Sequence, residues 1–126
     1  MRLLLDTNAF LWWASDDQHL GATASDAIQG ADIVRISLVS LWEIAIKISV
    51  GKLQADIPAL LTGAERAGAI LLPVTPGHCA RLARLPVHHR DPFDRMLIAQ
   101  AMEEQAALVT SDRQLAAYGA PIVRCG

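Results

Sequence analysis

The sequence predicts an α/β fold, a three-layer α/β/α sandwich around a central parallel sheet of five strands. Short, strongly apolar runs alternate with longer stretches of helical periodicity along the chain. This alternation is typical of parallel sheets covered by helices on both faces. The 126 residues are 52% hydrophobic and 19% charged, which argues against disorder and allows one buried core. We therefore expect residues 1–126 to form a single domain.

The predicted strands are short apolar runs, and the predicted helices are the amphipathic stretches between them. The strands are Leu3–Leu5, Ile33–Ile36, Ala69–Leu72, Ala107–Val109 and Ile122–Val123. The helices are Thr7–Ala14, Ala22–Gln29, Leu38–Val50, Ile57–Ala67, Pro76–Ala83, Pro92–Gln105 and Arg113–Tyr118. Gly51 and Gly68 each follow a helical stretch, as expected at helix C-termini.

Two acidic residues lie at or just beyond the ends of predicted strands. Asp6 comes immediately after the first strand, and Asp112 lies three residues past Val109, at the end of the fourth. In open parallel sheets, ligands bind outside the carboxyl ends of the strands, where the strand order reverses. Both side chains are therefore expected on the binding edge of the sheet.

Charge, cysteine content and hydropathy restrict the class of protein. No export signal or membrane span is predicted, because the longest apolar region, Ile36 to Val50, contains Glu43 and Lys47 and is shorter than the roughly 20 residues required. Two cysteines, Cys79 and Cys125, predict reduced thiols rather than a disulfide framework. A net charge of −2 argues mildly against a pure nucleic-acid-binding module and less against a nuclease. We expect a cytoplasmic protein that does not enter a membrane.

Each of four acidic residues has a local structural explanation. Asp6 could be the N-cap of the helix that begins at Thr7. Glu43 precedes Lys47 by four residues, the favourable orientation for a helical ion pair. In the same way Asp94 would occupy the first turn of a helix capped by Asp91, and any one of Thr110, Ser111 and Asp112 could cap the helix that follows them.

A shared site makes a different demand on the same carboxylates. Two unit charges about 4 Å apart repel by roughly 4 kcal/mol at an effective dielectric near 20. Clustered carboxylates therefore take up protons or bind a cation. Oxygen ligands without histidine or cysteine favour Mg²⁺ or Mn²⁺, ions that suit phosphodiester hydrolysis.

Four motifs in order resemble those of PIN domains, and they extend from one end of the chain to the other. They are Leu4-Leu5-Asp6-Thr7-Asn8; Ser40-Leu41-Trp42-Glu43-Ile44 with Lys47 and Gly51-Lys52-Leu53; His89-Arg90-Asp91-Pro92-Phe93-Asp94-Arg95 with Leu97-Ile98-Ala99-Gln100-Ala101; and Thr110-Ser111-Asp112. The resemblance implies a five-stranded parallel sheet in the order 3-2-1-4-5. It further implies an endoribonuclease that depends on Mg²⁺ or Mn²⁺.

The resemblance also implies roles for particular residues. The acidic quartet would be Asp6, Glu43, Asp94 and Asp112. Asp6 and Asp94 would ligate the metal directly, Asp112 would complete the site or bind through water, and Glu43 would orient the water. Thr110, with Thr7 or Asn8, would support the quartet, and Asp91 remains a helix cap.

The size of the chain and its second and third motifs resemble those of VapC toxins in type II toxin–antitoxin modules. This subgroup implies a homodimer, inhibition by a VapB-like antitoxin, and an RNA substrate that is commonly tRNA or rRNA. An antitoxin-independent PIN nuclease of RNA processing would share all four carboxylates and remains an alternative. A non-catalytic receiver-like module fits less well, because Asp6 is followed by Thr7 and no aspartate lies near position 50. A haloacid-dehalogenase-type phosphatase would require Asp-x-Asp where this chain has Asp6-Thr7-Asn8.

Basic and aromatic residues give weaker indications. Arg90 and Arg95 flank the third motif and could bind RNA phosphates, although long cations are more often ordinary surface residues. The histidines show no metal-binding spacing, so a histidine-ligated metal is not expected. Trp12 and Trp13 are adjacent, so we expect one in the core and the other available to a partner.

Overall fold

The computed structural model describes residues 1–126, and its five strands form one parallel sheet in the order β3-β2-β1-β4-β5. The strands are β1 (Arg2–Leu5), β2 (Ile33–Ser37), β3 (Ile70–Leu72), β4 (Ala107–Thr110) and β5 (Ile122–Arg124). The helices are α1 (Thr7–Ala14), α2 (Ala22–Gly30), α3 (Leu38–Ser49), α4 (Ile57–Arg66), α5 (Pro76–Arg84) and α6 (Pro92–Glu103). The predicted fold class and sheet order are confirmed.

The largest departure from the predicted elements is in the last helical stretch. Residues Arg113–Tyr118 form a 3-10 helix, and a second 3-10 turn covers Gln18–Leu20. The 113–118 segment begins at the N-cap Asp112 and ends at Gly119, whose φ of 80° is left-handed. Six residues between these two stops are few for an α-helix, whereas 3-10 geometry is common in such short pieces.

Alternate residues of the central strand divide the core between the two faces of the sheet. Leu3 and Leu5 pack with side chains of α1 to α4, whereas Leu4 packs with α6 and the 113–118 segment. All three leucines are fully buried. Helices α1 to α4 therefore cover one face, and α6, with α5 packed against it, covers the other.

The reversal of strand order between β1 and β4 defines the candidate site. β2 pairs with one side of β1 and β4 with the other, both in parallel register. The backbone N–H of Asp6 donates to the carbonyl of Val109 at 3.0 Å, so the residue after β1 is still attached to β4. Asp6 therefore lies at the switch point where ligands bind in open parallel sheets.

A buried polar pair fixes α6 against the carboxyl ends of β2 and β3. The Ser37 hydroxyl donates to Gln100 Oε1 at 2.5 Å, and Gln100 Nε2 donates to the carbonyl of Pro73 at 3.3 Å. Ser37 and Gln100 are both fully buried, so these bonds satisfy groups that water cannot reach. They help to set the position of the helix that carries Asp94.

The structure corrects the expectation for the tryptophans and agrees with that for the cysteines. Trp12 and Trp13 are both half-buried beside the core, so neither is a core residue, and both line a groove between α1 and α4. Cys79 and Cys125 are free thiols, the first exposed and the second buried. None of the helices has both the length and the apolar character needed to cross a bilayer.

Candidate active site

Asp6 is a buried carboxylate held by the start of α1. Its Oδ1 accepts the N–H of Ala9 at 2.8 Å, so the N-cap interpretation is correct. Burial raises the pKa of Asp6 above its usual value, and the nearby charges of Glu43 and Asp112 raise it further. Hydrogen bonds from the Thr110 hydroxyl and the Ala9 N–H act in the opposite direction. Capping and membership of a charged cluster therefore coexist in one side chain.

Glu43 projects from α3 into the same space and is oriented from two sides. Lys47 Nζ lies 3.1 Å from its Oε2, which is the expected helical ion pair. The buried Thr7 hydroxyl donates to its Oε1 at 2.6 Å and lies 3.1 Å from the hydroxyl of Ser40. The structure thus brings Thr7 to the quartet, whereas Asn8 is exposed and makes no hydrogen bond to it.

Asp94 lies in the first turn of α6, whose N-cap is Asp91. The Asp91 carboxylate accepts the N–H groups of Phe93 and Asp94, at 2.8 and 3.1 Å, as expected for a cap. Burial, followed by the charges of Asp91 and Asp6, raises the pKa of Asp94 from 3.8 to about 7. Repulsion from Glu43 contributes as well, and His89 opposes the rise.

Asp112 follows β4 and caps the 113–118 segment. Its Oδ1 accepts the N–H of Gln114 at 2.9 Å, while its own N–H donates to Thr110 Oγ1 at 3.0 Å. Thr110 is fully buried, and its hydroxyl also lowers the pKa of Asp6, so one hydroxyl acts on both the residue after β1 and Asp112. This is the supporting position predicted for Thr110.

The four carboxylates therefore lie near one another at the carboxyl edge of the sheet. The charges of Glu43 and Asp112 raise the pKa of Asp6, and the charges of Asp6 and Glu43 raise the pKa of Asp94. Lys47 and His89 contact Glu43 and Asp112, respectively, whereas neither Asp6 nor Asp94 has a basic side chain within hydrogen-bond distance. The raised pKa of Asp94 is the expected result of burial, reinforced by like charges brought together without enough cations.

His89 is a member of the site that the sequence did not predict. Its Nε2 lies 2.8 Å from Asp112 Oδ2 and 3.7 Å from Asp94 Oδ2. Ligand atoms of His89, Asp94 and Asp112 all lie within 4.8 Å of one another, and Asp6 is outside this group. Its place at the start of the third motif was the only available signal, because the contact with Asp112 spans 23 residues.

The two arginines proposed for RNA contact occupy different environments. Arg90 is exposed, but Arg95 is half-buried and donates from Nη2 to the carbonyl of Leu85 at 3.3 Å. Arg95 thus holds the loop before α6, which competes with a contact to RNA. Two other arginines, Arg113 and Arg124, are exposed and line a cavity of about 140 Å³ that also includes Thr110 and Asp112.

Fold and site together define a class: a parallel α/β domain with an acidic, cation-deficient cluster at its switch point. The sequence matches the PIN domain family over residues 3–121, and the chain belongs to that family. It is 33% identical over 121 residues to Ribonuclease VapC22 of Mycobacterium tuberculosis, covering 94% of this chain and 93% of that protein.

Solved structures extend the comparison to the fold. VapBC2 of Rickettsia felis, bound to a DNA fragment from its promoter, has a TM-score of 0.71 at 13% identity, with both chains covered completely. VapC20 of Mycobacterium tuberculosis, a toxin that cleaves the sarcin–ricin loop, has a TM-score of 0.60 at 21% identity, covering 97% of this chain and 98% of that one. At these identities the likeness concerns the fold, which is the PIN-like fold of VapC structures.

Proposed function

We propose that this chain is an endoribonuclease that hydrolyses RNA phosphodiester bonds with Mg²⁺ or Mn²⁺ and acts as the toxin of a VapBC-type module. Residues 1–126 form one PIN domain in this proposal. The observation that carries it is the convergence of Asp6, Glu43, Asp94 and Asp112 at one sheet edge, where the pKa of Asp94 rises to about 7. The 33% identity to a VapC ribonuclease supports the same activity.

The donor set of the cluster fits a hard divalent cation. Its four acidic members offer only carboxylate oxygens, which Mg²⁺ and Mn²⁺ prefer. Asp6 and Asp94 would hold the ion, since neither has a basic side chain within hydrogen-bond distance, and Asp112 would complete the site directly or through water. The bound ion supplies Lewis-acid chemistry, activating water and stabilising the charge that develops on the departing oxygen.

Glu43 would act on the water rather than on the ion. Its two oxygens are held by different donors, Thr7 at Oε1 and Lys47 at Oε2, which restricts the rotation of the carboxylate. A carboxylate fixed in this way keeps a free lone pair in a constant direction. It can therefore orient a water molecule for attack on phosphorus and accept a proton from it.

The exposed arginines give a path for the RNA strand beside the acidic cluster. Arg113 and Arg124 line the small cavity next to Asp112, and Arg90 lies on the loop that precedes α6. None of these arginines forms a salt bridge, so their guanidinium groups can bind phosphates bidentately. The substrate would be a structured RNA such as tRNA or rRNA, for which the cleavage of the sarcin–ricin loop by VapC20 is a precedent.

Two apolar surfaces support the proposed protein partners. On α3 and its C-cap, a stripe of exposed side chains at four-residue spacing would pack against a second copy of the chain; it consists of Leu38, Trp42, Ile46 and Val50. The groove between α1 and α4 has a volume of about 740 Å³ and includes Trp12 and Trp13. Asp17 and Asp56 line it too, so it suits an amphipathic, basic helix of a VapB-like antitoxin.

Cleavage of total RNA by the purified protein tests the enzymatic proposal. We expect products with Mg²⁺ or Mn²⁺, none with EDTA, and a loss of at least a hundredfold in rate for Asp6→Asn and Asp94→Asn. Asp26→Asn is the matched control, because it makes the same chemical change at an exposed position on α2. Cleavage that survives both chelation and the two site substitutions would contradict the mechanism.

Expression in a host cell tests the toxin role separately. We expect growth arrest that is relieved when the neighbouring antitoxin is co-expressed, and no arrest with Asp94→Asn. Cleavage in vitro without growth arrest would favour the antitoxin-independent nuclease. For the dimer, light scattering of Trp42→Lys should report a monomer where the unsubstituted chain is a dimer, with Ile70→Lys as the control at a similarly exposed position.

A further inference from the structure

His89 has the location of a metal ligand. It lies on the loop between α5 and α6 with a side chain only 15% exposed, and its Nε2 is 2.8 Å from Asp112 Oδ2. Together with Asp94, these groups place one nitrogen and two carboxylate oxygens within 4.8 Å. On these distances alone, the His89 imidazole would be assigned as a ligand of the metal ion, together with Asp94 and Asp112.

The other ring nitrogen leads to a different assignment. Nδ1 of His89 lies 3.0 Å from the backbone N–H of Asp91, which can only donate. Nδ1 must therefore be the acceptor, and the neutral ring then carries its proton on Nε2. A histidine that ligates a metal shows the reverse pattern, since its second nitrogen normally donates to a carboxylate or a carbonyl.

The backbone around His89 is anchored independently of the carboxylates. The N–H groups of His88 and His89 both donate to the Tyr118 hydroxyl, at 3.2 and 3.0 Å. Tyr118 is itself buried in the core on the α6 side of the sheet. The imidazole is thus held in place by contacts that do not involve the site, and its Nε2–H points at Asp112.

We propose that His89 is a positioning residue: its Nε2–H fixes the carboxylate of Asp112, and its ring does not ligate the metal ion. The proposal rests on the metal site of the proposed function. Asp112 then receives one donor on each oxygen, Gln114 N–H on Oδ1 and His89 on Oδ2. Each oxygen keeps a lone pair, so the carboxylate can face the ion in a single orientation.

Three substitutions at position 89 separate donation from ligation. In His89→Gln, the side-chain amide places an N–H near the site of Nε2. In His89→Asn, the shorter side chain can still accept the Asp91 N–H but cannot reach Asp112. His89→Ala removes both contacts. We expect Mn²⁺ to bind to the Gln variant within about threefold of the unsubstituted chain, and about 10- to 100-fold more weakly to the Asn and Ala variants.

Pulsed EPR of bound Mn²⁺ gives a readout that a ligand and a positioning residue affect differently. We expect no strong ¹⁴N coupling from a coordinated imidazole in the unsubstituted protein. A strong coupling that disappears in all three variants, with no rescue of affinity by glutamine, would show that His89 is a ligand and overturn the proposal.

Two further results separate the failure of this inference from the failure of the proposed function. His88→Gln is the matched control, because His88 is the adjacent, exposed imidazole and makes no contact with a site carboxylate. Its Mn²⁺ affinity should be unchanged. If the unsubstituted chain binds Mn²⁺ and all three position-89 variants bind it equally well, the positioning role is wrong while the metal site stands. If the unsubstituted chain binds no Mn²⁺, the proposed function fails and the role of His89 fails with it.

Discussion

The replacement Asp94→Asn should stabilise the metal-free protein while abolishing its activity. Asp94 is forced to ionise near Asp91 and Asp6 in a largely buried position, with a pKa of about 7 rather than 3.8. The folded state therefore binds the proton more tightly than the unfolded chain does. The contribution of protonated Asp94 to stability is complete below pH 3.8. It is lost progressively as the pH rises from 3.8 through the folded-state pKa of about 7. The asparagine of Asp94→Asn has nearly the same shape and carries no charge, so the variant does not lose this stability at high pH.

The magnitude follows from the pKa and from two opposing effects. The pKa of Asp94 rises from 3.8 to about 7. Because one pKa unit corresponds to about 1.4 kcal/mol, the folded state destabilises the charged form of Asp94 by about 4 kcal/mol. The side chain is 23% exposed, so water screens part of this repulsion. The first turn of α6 also favours a negative charge, by about 0.3–1 kcal/mol. We therefore expect Asp94→Asn to increase the free energy of unfolding by about 2 kcal/mol at pH 8.

Urea denaturation in EDTA, at pH 5 and at pH 8, measures this effect. The difference between Asp94→Asn and the unsubstituted chain should be smaller at pH 5, which lies only part of the way from 3.8 to about 7, and should reach about 2 kcal/mol at pH 8. Mn²⁺ supplied in place of EDTA should stabilise the unsubstituted chain at pH 8 and leave the variant unchanged, because a ligand stabilises only the state that binds it. The reasoning is refuted if the variant is no more stable at pH 8 than at pH 5, relative to the unsubstituted chain.

Three more substitutions or modifications test the surroundings of the site. Thr7→Val removes the donor to Glu43 Oε1 and should lower the initial rate of RNA cleavage at least tenfold. Urea denaturation should show that the free energy of unfolding falls by about 1 kcal/mol. An unchanged cleavage rate would mean that this bond does not orient Glu43. Tyr118→Phe leaves two backbone N–H groups without their acceptor, so amide hydrogen exchange at residues 88 and 89 should accelerate, and unchanged protection would contradict the anchoring role. Burial raises the pKa of Cys125 to about 12. A thiol reagent at pH 8 should therefore modify one thiol per native chain, the exposed Cys79, and two thiols after denaturation. Rapid modification of both thiols in the native chain would contradict the buried position of Cys125.

The elements that the sequence predicted well are those with strong local signals. Leu3–Leu5 and Ala107–Val109 are purely apolar, and the structure extends each by a single residue. Asp6 and Asp112 could be placed because they lie at or just beyond the ends of these strands, and the carboxyl ends of neighbouring parallel strands meet at one edge. The cap role of Asp6 was predictable too, because Asp6 directly precedes the helix that begins at Thr7, whereas Asp112 was one of three adjacent candidates for its cap.

Features that depend on distant contacts were not predictable. His89 reaches Asp112 across 23 residues, and its backbone is held by Tyr118 across 29. The direction of its ring depends on a loop conformation that no periodicity specifies. Arg95 likewise flanks the third motif in sequence, but its guanidinium turns to the Leu85 carbonyl. The sequence indicated that the adjacent Trp12 and Trp13 would not both be buried in the core. That both line the same groove depends on the packing of α4 against α1, which the sequence does not specify.

The central claim is that the clustered carboxylates hold one divalent-metal site, and a crystal structure with Mn²⁺ tests it most directly. An anomalous difference map recorded near the manganese absorption edge would locate the ion without assumptions about the chemistry. We predict a peak in contact with the carboxylates of Asp6 and Asp94, with Asp112 beside it directly or through water, and His89 Nε2 bonded to Asp112. No peak at the cluster, or a peak bound by His89 without Asp6 and Asp94, would contradict the account.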